Sequence, residues 1–245
     1  MDDAAAARAS LETADAGYDV VVQSGEGREK KLLVADMDST MITVECIDEL
    51  ADYAGIKAEI AAVTEAAMRG ELDFAAALDA RVALLKGLEA TAIDRCLAER
   101  VTIMAGARTL VRTMKARGAE TILVSGGFTR FAEPVAAEIG FDRAIANVLE
   151  IDGAALAGTV AKPIVDSTTK ERTLIEARER LGLAAHETLA VGDGANDLAM
   201  IRLAGLGVAY HAKPIVAAAA GARIDRNDLT ALLYTQGIPR AEWVE

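Results

Sequence analysis

The chain has 245 residues, a formal net charge of -12 and no run of Lys or Arg, so it offers no track for a nucleic-acid backbone. Its start, Met1-Asp2-Asp3-Ala4, carries neither a basic leader nor an apolar run, and no stretch reaches membrane-spanning length, so a cytoplasmic protein with no membrane partner is expected. Cys46 and Cys96 lack metal-ligand spacing and read as reduced packing residues.

An Ala-rich, acidic leader to about Gly27 predicts a tail or one loosely docked element. Lys31-Leu32-Leu33-Val34-Ala35 is a continuous apolar run ending in two acids, which suits a buried parallel strand. From about Cys46 to Arg100 the pattern is helical throughout, with no strand to feed a sheet. Further strands are predicted at Thr121 to Val124, Thr188 to Val191 and Leu206 to Ala209, separated by helical patterns at about 107–117, 129–139, 170–181 and 196–204. Within Asn147 to Val160, Ile151-Asp152-Gly153-Ala154 reads as a hairpin turn. The predicted fold is α/β, a doubly wound (Rossmann-like), mostly parallel sheet with a small helical cap inserted after the first core strand. Residues 1–29 form the tail, 30–45 and 101–245 the core, and 46–100 the cap.

The chemistry gathers at predicted strand ends, where such sheets bind ligands. Asp36 and Asp38, separated by one residue at a strand end, are expected to face different sides, and packing both without partners costs several kcal/mol, so a cation or ionisable ligand is expected beside them. Gly192-Asp193-Gly194-Ala195-Asn196-Asp197 opens a helix that either Asn196 or Asp197 caps, leaving Asp193 to face the first acid pair. Three acids from two strand ends make a hard oxygen site suited to Mg²⁺. The third glycine of a dinucleotide loop is missing. Ser125-Gly126-Gly127 supplies a hydroxyl and open backbone N–H groups for an anion, and Lys170, after Ser167-Thr168-Thr169, supplies a point charge.

These motifs resemble those of the haloacid dehalogenase superfamily, which match at Asp36-x-Asp38, Ser125, Lys170 and Gly192-Asp193-x-x-Asn196-Asp197. From about Lys31 onward the chain is similar to the phosphoserine phosphatases of that superfamily, on Asp36 to Thr40, Glu45 to Leu50, Met68 to Phe74, Arg81-Val82, Ser125 to Phe128 and Tyr210 to Pro214. The resemblance implies hydrolysis of a small-molecule substrate, O-phosphoserine, with Mg²⁺, as the last step of serine biosynthesis. Asp36 is then the nucleophile, Asp38 the general acid and base, and Asp36, Asp193 and the backbone carbonyl of Asp38 the metal ligands. Ser125, Gly126, Lys170 and Asn196 hold the phosphoryl oxygens, with Asp197 in support. Glu45 meets the substrate ammonium, Arg81 its carboxylate, and Met68 and Phe74 close over its apolar part.

On the residues alone, Arg81 falls on the apolar stripe of Phe74, Leu78, Val82 and Leu85, where a guanidinium calls for an anion or for snorkelling to solvent. Other phosphatase chemistries fit poorly. The sixth residue after Cys46 is Asp52 and after Cys96 is Thr102, so no Cys-x5-Arg exists, and His186 follows Ala185 and His211 follows Tyr210, so neither follows an arginine. A related small-molecule phosphatase, a serine/homoserine phosphotransferase and a non-catalytic phosphoserine sensor are the alternatives. The stretch before Lys30 is too short for the amino-acid-binding regulatory domain some relatives carry there, so control through such a domain is not expected.

Overall fold

The computed structural model describes residues 3–12, 17–25, 27–69 and 71–245. Helix α1 (Asp3–Glu12) is followed by strand β1 (Leu32–Ala35) and by helices α2 (Cys46–Ala54), α3 (Lys57–Met68), α4 (Phe74–Leu84), α5 (Thr91–Arg100) and α6 (Ala107–Ala116). Then come β2 (Glu120–Phe128), α7 (Thr129–Ile139), β3 (Arg143–Asn147), β4 (Leu149–Asp152), β5 (Ala155–Val160) and α8 (Ser167–Arg180). The rest is β6 (Thr188–Gly192), α9 (Leu198–Leu203), β7 (Leu206–Tyr210), α10 (Pro214–Ala219), β8 (Ala222–Ile224) and α11 (Ala231–Thr235). Among the described residues, no helix is long and apolar enough to cross a membrane.

The main sheet runs β3-β2-β1-β6-β7-β8 with every pairing parallel, and β4 and β5 form the separate antiparallel hairpin. Successive side chains of β1 enter different cores: Leu33 and Ala35 join a cluster with Leu110 and Phe131, while Leu32 and Val34 join one with Leu174 and Met200. Burial on both faces is why the strand reads as an unbroken apolar run, and it makes the sheet doubly wound. After β1 the chain lays β2 and β3 to one side, then returns to lay β6, β7 and β8 on the other. The order therefore reverses between β1 and β6, which opens a crevice at their carboxyl ends.

Helices α2 to α5 are inserted in the chain between β1 and β2 as a cap. Asp73 starts α4 by accepting the Ala76 amide at 2.7 Å, and Gly55, at φ 69°, ends α2 in the left-handed conformation that suits glycine. Leu50, Leu78, Val82 and Ile93 from these helices share one apolar cluster with Met37 and Met41 from the loop after β1. Cys46 and Cys96 are buried free thiols in that cluster.

Several elements differ from expectation. Strand β2 continues through Ser125-Gly126-Gly127, past the predicted strand end at Val124, but its register with β3 slips between Val124 and Phe128. Two glycines without side chains let the strand bulge there. Helix α8 starts at Ser167, capped by Asp166, whose carboxylate accepts the Thr169 amide at 2.8 Å, so Lys170 sits in the first turn and not at the start. The predicted helix at 196–204 is a 3₁₀ turn, Ala195–Asp197, followed by α9. Edge strands β3 and β8 were not foreseen.

Among the described residues of the leader, Arg8, Asp19 and Arg28 bond to the C-terminal part of the core. Arg8 donates to the Ala220 carbonyl at 2.6 Å, and the Arg28 guanidinium donates to the carbonyls of Tyr234 and Thr235 at 2.9 Å. Asp19 accepts from the amides of Asp225 at 2.9 Å and Asn227 at 3.0 Å, and from Asn227 Nδ2 at 2.7 Å. Partial burial works against its charge, but these bonds outweigh it and hold the carboxyl below its ordinary 3.8. A depressed folded-state pKa stabilises above 3.8 and ceases to do so as pH falls through the folded value. Asp19→Ala is expected to cost about 1 kcal/mol near neutral pH, read as a lower urea midpoint, with the difference from wild type vanishing in acid below that window.

Candidate active site

Loops at the carboxyl ends of β1 and β6 and the bulged end of β2 meet the cap around a cavity of about 410 Å³, a size suited to a small ligand. Asp36, Asp38, Asp193 and Asn196 line it from the core, and Glu45 and Arg81 from the cap side. A second cavity, of about 570 Å³, lies between the leader and α11 and is lined by none of these acids.

Its floor is an ion triad. Lys170 is fully buried, and its Nζ lies 2.6 Å from both Asp36 Oδ1 and Asp197 Oδ1. The other oxygen of Asp197 accepts the Gly194 amide at 3.0 Å. A side chain at Gly192 would collide with the Asp197 carboxyl, which explains the first glycine of that motif. Burial alone would discharge Lys170, but Asp36 and Asp197 outweigh it and hold the ammonium firmly protonated. Burial and the charge of Asp197 push the Asp36 carboxyl up, with Lys170 opposing.

Strand alternation would leave Asp38 on the same side as Asp36, but the chain turns at residues 38–40 beyond β1 and directs its carboxyl to other partners. Its Oδ1 accepts the Cys46 amide, the first of α2, at 3.1 Å, and its Oδ2 lies 3.5 Å from Ser125 Oγ. Burial and the charge of Glu45 raise its pKa to about 7, against the opposing pull of the Cys46 thiol and amide. A carboxyl poised there exchanges protons readily in both directions near neutrality.

The site also fits a hard divalent cation. One carboxylate oxygen from each of Asp36, Asp193 and Asp197 lies within 4.8 Å of the others, with no sulfur or imidazole in the group. Asp193 is raised to about 6 by burial and by the charges of Asp197 and Glu45. Lys170 is the one ammonium in contact with these acids among the described residues, which leaves carboxylate charge for a cation to balance.

Ser125 Oγ accepts the Gly127 amide at 2.8 Å, and a Cβ on Gly127 would come within 2.9 Å of Asp38 Oδ2, so only glycine fits between them. Phe74, 38% exposed, packs over Gly126 and shares the cavity wall with Arg81. The Arg81 Nε donates to the Ala77 carbonyl at 3.3 Å, and among the described residues its guanidinium makes no ion pair. Burial lowers its pKa, while Asp48 and Glu45 pull it back up. Glu45 accepts from Ser39 Oγ at 2.7 Å. The side chain of Met68 lies outside the described residues, as does Gly70.

Some residues around the site had no assigned role. Asn147, buried at the end of β3, donates to the Gly126 carbonyl and accepts the Val165 amide, each at 2.8 Å. Pulling that carbonyl away from the site turns the Gly127 N–H, on the opposite edge of the same planar peptide, towards Ser125. Thr40 Oγ1 lies 3.5 Å from Asp193 Oδ1, Lys213 Nζ helps hold the Asp193 charge, and Ile47, Thr64 and Leu72 add cavity wall. Thr40 and Lys213 stood inside motifs already noticed, whereas nothing local to Asn147 signals its reach across to β2.

A family model of haloacid dehalogenase-like hydrolases matches residues 30–205. A phosphoserine phosphatase of Streptomyces coelicolor is 47% identical over 235 residues, covering 95% of this chain and 57% of that protein. One from Mycobacterium tuberculosis is 46% identical over 215 residues, covering 88% and 52%. The chain thus spans little more than half the length of these two curated relatives. A solved phosphoserine phosphatase, described as a phospho-aspartyl intermediate analogue, superposes with a TM-score of 0.77 at 36% identity, covering 84% of this chain and 98% of that one. With its sheet, inserted cap and acidic crevice, the chain belongs to the haloacid dehalogenase-like hydrolases.

Proposed function

We propose that the chain hydrolyses O-phosphoserine to serine and phosphate through an aspartyl-phosphate on Asp36, with Mg²⁺ as its cation, as the last step of serine biosynthesis in the cytoplasm. The observation that carries this reading is a cavity of two characters. Asp36, Lys170 and Asp193 form a phosphoryl-transfer floor, while the facing wall offers one carboxylate, Glu45, and one guanidinium, Arg81, that has no ion-pair partner among the described residues. Those two charges complement the ammonium and carboxylate of a free amino acid. The names of the similar proteins support the same substrate.

Asp36 attacks phosphorus as the bond to the seryl oxygen breaks, and Asp38 gives that oxygen its proton. Water then attacks the same phosphorus, Asp38 takes the proton back, and the Asp36 carboxylate departs. Lys170, the Ser125 hydroxyl and the Gly126 amide hold the phosphoryl oxygens, with Asn196 adding a polar group to the wall. Asp36, Asp193 and the Asp38 carbonyl would hold Mg²⁺, with Asp197 keeping Lys170 in place; when bound, the cation offsets charge gathering on the transferring group. Residues 46–100 supply substrate choice, with Met68 and Phe74 covering the apolar part of the amino acid.

Phosphate release from O-phosphoserine by the pure protein with Mg²⁺, against Asp36→Asn as control, tests the proposal. Equal release by both would remove the mechanism. Arg81→Met is expected to raise KM for O-phosphoserine about 10- to 100-fold with kcat little changed, because it removes a charge-assisted contact made equally in the ground and transition states. A matched loss in kcat instead would place Arg81 in the chemical step.

A further inference from the structure

Ser39 adopts φ 55°, a left-handed conformation that only it and His211 share among described non-glycine residues. Such a backbone is unfavourable for a residue with a Cβ and persists where its surroundings enforce it. The cause is the loop after β1. The amides of Thr40, Met41 and Ile42 converge on the Met37 carbonyl at 3.2, 2.8 and 3.1 Å, and the Ser39 amide donates to the Val44 carbonyl at 3.3 Å. The chain doubles back so tightly that the Ser39 hydroxyl reaches Glu45 Oε1 at 2.7 Å.

Glu45 occupies the N-cap of α2 yet makes no capping bond. The first amide of the helix, that of Cys46, is bonded by Asp38 instead. Among the described residues, Ser39 is the sole hydrogen-bond partner of the Glu45 carboxylate, and no cation pairs with it. A glutamate with three rotatable side-chain bonds, on the rim of a cavity and freed from capping, needs such a contact to keep its charge over the cavity.

We infer that Ser39 is the positioning residue for amino-group selectivity: its left-handed backbone aims a hydroxyl at one oxygen of Glu45 and so holds the carboxylate ready for the substrate ammonium. This rests on the phosphoserine reading above. It assigns to the serine of the Asp-Met-Asp-Ser-Thr motif a task separate from phosphoryl transfer.

Ser39→Gly separates the two properties of the residue, since glycine keeps the left-handed backbone without strain while the hydroxymethyl side chain is lost. The readouts are KM and kcat for O-phosphoserine and kcat/KM for 3-phosphoglycerate, which has the same skeleton with a hydroxyl in place of the ammonium. KM for O-phosphoserine is expected to rise about tenfold, the size of one lost charge-assisted hydrogen bond, with kcat and the 3-phosphoglycerate reaction unchanged. Equal losses on both substrates would show a general role in the loop and overturn the inference, as would no change on either. A wild type unable to release phosphate from O-phosphoserine would instead bring down the reading of function. Normal wild-type activity with unaltered selectivity in the variant would remove Ser39 alone.

Discussion

Lys170→Met is expected to lower stability by about 3–5 kcal/mol and phosphate release by at least about a hundredfold, because it strips the cation from two buried carboxylates and a donor from the phosphoryl group. Lys170 Nζ sits 2.6 Å from both Asp36 and Asp197, and neither Lys170 nor Asp197 has any exposed surface. Methionine matches much of the volume, so the loss is electrostatic and not a cavity effect. Adding Asp197→Asn removes one of the stranded charges and is expected to recover part of the urea midpoint, but none of the activity. If both properties returned together, Lys170 would be a structural residue only.

Asp38→Asn is expected to lower kcat/KM for O-phosphoserine by about 10²- to 10⁴-fold, the usual worth of a positioned acid. The seryl oxygen is a poor leaving group and needs a proton as it departs. Nitrophenolate does not, so p-nitrophenyl phosphate separates the two tasks of Asp38. With that substrate the variant should release one rapid equivalent of nitrophenolate per site, then turn over slowly, since the first step no longer needs the acid while hydrolysis still needs the base. Slow release without a burst would show that Asp38 acts in orientation instead of proton transfer.

Much of the fold was readable because the central strands are buried on both faces. Leu32 to Ala35 and Thr188 to Val191 have no side chain with a polar alternative to the core except Thr188, so their runs could be taken at face value. Edge strands were not readable: Arg143 to Asn147 and Ala222 to Ile224 are short and half-polar, and owe their conformation to a neighbour on one side. The predicted strand stopped at Val124 because glycines weaken a strand, whereas pairing with β3 resumes at Phe128 and draws Ser125-Gly126-Gly127 into a bulged strand. The docking of the leader depends on Asp19 meeting residues 225–227, more than two hundred positions away, which no local pattern announces.

The acids of the site were legible for a different reason. Asp36 and Asp193 follow strands whose adjacency a doubly wound sheet makes natural, so their meeting needed only the topology. The bonds that tune them were hidden. Asp38 takes the first amide of α2, Asp197 divides its two oxygens between Lys170 and Gly194, and Asn147 turns the peptide beside Ser125. Each depends on an angle or a rotamer that sequence spacing leaves open.

Covalent capture of the phosphoryl group on Asp36 is the central claim, and rapid acid quenching of enzyme turning over labelled O-phosphoserine, followed by borohydride reduction and peptide mass analysis, tests it most directly. An acyl phosphate at this position is reduced to the alcohol, so the expected result is homoserine in the peptide spanning Leu32 to Thr40, at a level that rises within the first turnover. Full turnover with an unmodified aspartate there, or label on any other side chain, would contradict it.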